Sequence, residues 1–163
     1  MSNRALACKD HKTDCSHTTG ASEYYRTMGE VESLVRAFEA CTLPRSEWTH
    51  QAHLTVALWY LADCSGREAT ARVRNGIKRY NDAVGVRTTK DGGYHETITL
   101  FWICAISKYL LLADAGRSFV ELANDMISRF GDGRLPFEYY SRELLMSWRA
   151  RTSWVEPDLK ALC

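Results

Sequence analysis

Nowhere in this chain do apolar and polar residues alternate as in a half-buried β-strand, which excludes a sheet as its organising element. Proline is scarce, at Pro44, Pro136 and Pro157 only, so long segments are left free to be helical. An excess of one charge is also missing. Lys and Arg number 21 against 20 Asp and Glu, so no overall field steers the chain toward a nucleic-acid backbone or an anionic membrane. The longest apolar stretch, Leu100 to Leu112, is interrupted by Ser107 and Lys108 and is shorter than a bilayer requires. No period of 20 to 50 residues recurs, which argues against a solenoid. The N-terminus, Met1 through Asp10, lacks the apolar core of a secretory leader, and Ala7-Cys8 does not make a lipoprotein signal of it. A cytoplasmic location is the expectation.

What is present is enough apolar material for one well-packed domain, 45% of residues with 11% aromatic. Cys41, Cys64 and Cys104 fall in helical segments and read as small core hydrophobes rather than disulfide partners. Cys8, His11, Cys15 and His17 suggest zinc, but their intervals match no familiar ligand spacing. Lys, Asp, Ser and Thr surround them, so residues 1–22 read as a disordered tail before a helical domain over 23–163.

Within that domain the apolar periodicity predicts an all-α, single-domain antiparallel bundle of about five to six helices. Met28, Val31, Leu34, Val35 and Phe38 form the stripe of a first helix, from about 23 to 41. A second, central helix starts with Ser46 as N-cap and runs to Ala62, apolar nearly all round. Arg67 to Ala83 is a surface helix with a narrow stripe at Ala69, Val73, Ile77 and Tyr80. A glycine-bearing loop over 86–93 precedes a second central helix, from His95 to Ala113. Ser118 to Phe130 is a fifth helix, Pro136 opens a short sixth one through Leu145, and the tail from Trp154 is irregular.

Short connections make consecutive helices antiparallel, so helices two and four start at the same end. That brings together His50 and His53 of His50-x-x-His53 and His95 of Tyr94-His95-Glu96-Thr97. Positions 50, 53, 57, 60 and 64 share one helix face, and 95, 99, 102, 106 and 109 share another, so the three imidazoles head stripes that face inward. Neutral imidazoles converging from rigid helices suit a divalent metal such as Zn, Fe or Mn, with His50, His53 and His95 as ligands. The rival readings are a metal-free acid/base pocket and histidines that only satisfy core hydrogen bonds. Glu96 and His95 are the expected catalytic residues, although an acidic residue in a first helical turn also follows from the helix dipole. Tyr94, Thr99, Tyr140 and Arg142 are the expected substrate-binding residues, with Tyr139 beside them on the rim, and Trp48 reads as a core residue.

Four segments, Trp48-Thr49-His50-x-Ala52-His53-Leu54, Tyr94-His95-Glu96-Thr97-Ile98-Thr99, Tyr139-Tyr140-Ser141-Arg142-Glu143 and Trp154-Val155-x-Pro157-Asp158, occur in this order. Over residues 45–160 the chain thereby resembles an uncharacterised bacterial all-helical family. The resemblance implies that these segments belong together and carries no activity with it. The functional expectation is therefore a small enzyme with an end-of-bundle site that acts on a small molecule by metal-assisted hydrolysis or proton transfer. The alternative is a non-catalytic helical module that binds a small ligand or a partner protein. Neither nucleic acid nor membrane is an expected partner, and the sequence leaves the oligomeric state open.

Overall fold

A computed structural model describes residues 24–162, and over these the chain is all-helical. The tail with Cys8, His11, Cys15 and His17 lies outside the described residues. Five longer helices build the bundle: α1 Met28–Glu39, α2 His50–Asp63, α3 Gly66–Ala83, α4 Glu96–Leu112 and α5 Phe119–Phe130. Three short ones follow, α6 Pro136–Tyr139, α7 Arg142–Leu145 and α8 Trp148–Thr152. Among the described residues no helix is long and apolar enough to cross a membrane.

The amphipathic helices bury the stripes their sequences carry. α1 turns Val31, Val35 and Phe38 inward, α3 Ala69, Val73, Ile77 and Tyr80, and α5 Ala123, Met126 and Ile127. Reciprocal capping boxes, Thr27 with Glu30 and Ser118 with Glu121, fix where α1 and α5 begin. α2 and α4 have almost no polar face, so each is surrounded. α2 packs against α1, α3, α4 and α5, and α4 also meets α3 and α8.

Four boundaries differ from the sequence reading, each for a local reason. α1 begins at Met28 rather than near 23, because Thr27 is extended (φ −136°, ψ 156°) and caps it. α2 begins at His50, four residues beyond Ser46, because the chain turns tightly after Pro44 (Glu47 N–H to Pro44 O, 2.9 Å). Thr49 then takes the N-cap, its hydroxyl accepting from the Ala52 N–H at 3.3 Å. The expected sixth helix is two helices, broken where Tyr140 is extended (φ −122°, ψ 137°). The break sinks the Tyr140 ring into the core, where its hydroxyl donates to the Val155 carbonyl at 3.1 Å. α8, capped by Ser147, has no counterpart in the sequence reading; it buries Ala150 and Arg151 against α4 and the 92–94 loop.

Candidate functional site

The starts of α2 and α4 do share an end of the bundle. Between them and the second half of α3 lie two chambers that have His53, Ile77, Ile98 and Thr99 in common. The outer chamber, about 440 Å³, is bordered by Trp48, Asn81, Tyr94, His95 and Arg151, with Arg45 and Asp91 at exposed positions. The inner one, about 260 Å³, is walled by Leu54, Ala57, Val73, Trp102 and Ile103, with His50 at its edge. Together they have the size and the apolar character, relieved by a few polar groups, of a small-molecule pocket.

The three histidines head this end and have three different jobs. His50 donates from Nε2 to the Phe130 carbonyl (3.0 Å) while the neighbouring Gln51 amide reaches Gly131 O (3.3 Å). Both cover carbonyls that the end of α5 leaves without intrahelical partners. Gly133 lies so close that a Cβ there would stand 3.4 Å from the imidazole. His95 caps α4 with its own ring: Nδ1 accepts from the Ile98 N–H at 3.3 Å and Nε2 donates to the Leu145 carbonyl at 2.9 Å. Both of its nitrogens are spent on backbone. Carbonyl oxygens only accept, so each bond also fixes a tautomer.

His53 is the ring left with a reactive atom. Its Nδ1 donates to the Thr49 carbonyl at 2.7 Å, which leaves the Nε2 lone pair without a protein partner in the wall shared by both chambers. Trp48 packs against the ring at 3.8 Å between centroids, tilted by 31°, and is itself stacked on Phe38 at 4.5 Å, so the imidazole is held on one side by a fixed indole. Burial pushes its pKa down to about 4, with the bond to Thr49 opposing the shift. His50 and His95 are shifted the same way, chiefly by burial.

These shifts make stability depend on pH. His53 is harder to protonate when folded than at its ordinary value of 6.5, so the unfolded chain takes up the proton first. Its contribution is complete above pH 6.5 and is lost as the pH falls from there toward 4, up to about 3 kcal/mol. Urea midpoints at pH 7 and pH 4.5 are expected to show this loss, and His53→Gln should shrink it. An equal loss in the variant would assign the dependence to other groups.

Glu96 is buried, and both its oxygens are engaged. One forms an ion pair with Arg74, and the other accepts from the Tyr94 hydroxyl at 2.7 Å. Burial first, and then Glu96, raise the pKa of Tyr94, and Lys78 lies over its ring at 4.6 Å. Glu96 therefore anchors Tyr94 rather than bordering the cavity, whereas Tyr94 and Thr99 do border it. Tyr140 is a core residue, and Arg142 lies over Phe137 at 5.9 Å to the ring centroid, so neither borders either chamber.

The donors do not fit the expected metal centre. Among the described residues no group of three or more His, Cys, Asp or Glu side chains is arranged to hold an ion. His95 would have to give up a helix cap and a buried hydrogen bond to become a ligand. The sequence reading also missed Arg151 and Asn81, two buried polar side chains of the outer chamber. Asn81 lies among the polar residues of α3 with nothing to mark it. Arg151 had one available signal, Ser147 as N-cap of a short helix. Comparison of the chain with protein-family models, curated proteins and solved structures finds no match.

Proposed function

We propose that the protein is an enzyme that binds a small molecule in the two-chambered cavity and accepts a proton from it on Nε2 of His53. The observation that carries this reading is the bond from His53 Nδ1 to the Thr49 carbonyl, which fixes the tautomer with its basic nitrogen turned away from that bond and unpartnered. Backbone orientation of one ring nitrogen, with the other left basic, is the arrangement a general base requires. The low pKa keeps the ring neutral throughout the physiological range, so the base is always in its competent form. Trp48 limits rotation of the ring, and the apolar inner chamber lowers the local polarity in which a proton moves.

The elimination of 5-nitrobenzisoxazole tests this directly. A base removes the ring C–H proton, the N–O bond breaks, and a cyanophenolate leaves, with no other reactant. The protein is expected to accelerate the reaction, with a rate that climbs through about pH 4 and is flat near neutrality. His53→Gln should lower it by about 100-fold or more with the helical circular dichroism unchanged. If this probe binds but is not turned over, the cavity is a binding module and the catalytic reading fails.

A further inference from the structure

The outer chamber contains a buried positive charge that forms no ion pair among the described residues. Arg151 is 6% exposed and has no carboxylate within ion-pair distance among the described residues. Its Nη1 donates to the carbonyls of Gly92 (3.2 Å) and Tyr94 (3.5 Å), and its Nε is buried with no partner at all. Burying a guanidinium is costly unless an anion or a full set of acceptors compensates it, and here the acceptors are incomplete. The other deeply buried guanidinium nitrogen without a partner, Arg74 Nε, belongs to a side chain already paired with Glu96. Asn81 adds to the imbalance: it is 9% exposed, borders the same chamber, and its side-chain amide makes no hydrogen bond among the described residues. One wall of the chamber thus offers a cation and an amide, and the adjoining inner chamber is apolar.

We infer that the molecule bound here is a monocarboxylate with a ring-sized apolar group, its carboxylate on Arg151 and Asn81 and its apolar part in the inner chamber. This rests on the proposed small-molecule site and names its substrate class. A planar guanidinium matches a carboxylate in geometry as well as charge. Arg151 and Arg45 against Asp91 leave the lining one net positive charge, which balances one negative charge and disfavours a dianion. The inner chamber, about 260 Å³, is roomier than the ~150 Å³ apolar cavity that is known to take up benzene, so an aromatic ring or a branched alkyl group of that size fits. Leu54, Ala57, Val73 and Ile103 offer such a group only apolar contacts, and Trp102 adds an aromatic one.

The test is calorimetric titration of the full chain with phenylacetate, phenylacetamide and benzylphosphonate, together with inhibition of 5-nitrobenzisoxazole elimination by phenylacetate. Phenylacetate is expected to bind about tenfold or more tightly than the neutral amide and to compete with the benzisoxazole. Arg151→Gln should remove that preference, and since Arg151 also holds the 92–94 backbone, its melting temperature is measured beside that of Arg151→Lys, which keeps the charge. Ala57→Phe, on the far wall, should block phenylacetate without touching the arginine. Equal binding of acid and amide, or an Arg151→Gln variant that is folded and keeps the preference, overturns the anion assignment while leaving the proton-transfer site standing. Tighter binding of benzylphosphonate overturns the choice of a carboxylate. Loss of elimination activity together with the absence of any binding overturns both readings.

Discussion

Replacing His95 with alanine is expected to destabilise the protein by about 2–4 kcal/mol. The substitution removes no cavity-filling aliphatic group, yet it strands two backbone groups at once. The Ile98 N–H loses its cap, and the Leu145 carbonyl, which belongs to α7, loses a donor 50 residues away in sequence. A lost N-cap costs about 1 kcal/mol, and a buried polar group left without a partner about 1–3 kcal/mol. His95→Asn can still cap the helix but is too short to reach Leu145, so it should recover about 1 kcal/mol. Chemical denaturation of the three proteins decides the matter. His53→Gln is the contrasting case, because Nδ1 of His53 gives up a bond to a carbonyl that also accepts from the His53 N–H at 3.1 Å. If His95→Ala unfolds at the same denaturant concentration as the native protein, the imidazole is not the tie between α4 and α7.

Gly93→Ala is expected to cost about 3–5 kcal/mol, and it should abolish binding in the cavity as well. Gly93 has φ +80°, where any side chain carries a penalty of about 1–2 kcal/mol. A Cβ there would also lie 2.5 Å from the Arg87 carbonyl oxygen and 2.8 Å from the Thr88 Cα, both backbone atoms that no rotamer change can move. The 86–93 loop would have to open, and Asp91, Gly92 and Tyr94, which border the outer chamber, would shift with it. Gly85 supplies the control: its φ is +71°, but a Cβ there would meet nothing within 4 Å, so Gly85→Ala should show the conformational penalty alone. Similar melting temperatures for the two variants would mean that the loop yields easily and that its packing does not shape the cavity.

The substitutions separate what each residue type reveals by itself from what it reveals only in place. The stripe Ala69, Val73, Ile77 and Tyr80 announced a half-buried surface helix, and the apolar surroundings of Trp59 and Phe101 announced central ones, because a helix's burial follows its period. Counting helix lengths also brought the starts of α2 and α4 together. It did not separate His50, His53 and His95, since an imidazole in a ligand set, a helix cap and a general base occupies the same kind of position in a sequence. Their roles depend on which carbonyl each nitrogen meets, and Phe130, Leu145 and Thr49 lie 80, 50 and 4 residues away.

By itself, then, the sequence determined the helical class, the five long elements and the end of the bundle where polar residues gather, all consequences of local periodicity and chain length. Only the tertiary structure decided that Glu96 is tied to Arg74 and Tyr94, that Tyr140 closes the core, and that Arg151 of a five-residue helix enters the cavity. The physical reason is that short helices hold their shape through packing rather than propensity, and that the chemistry of a buried polar group is set by the few atoms it touches, which come from distant parts of the chain.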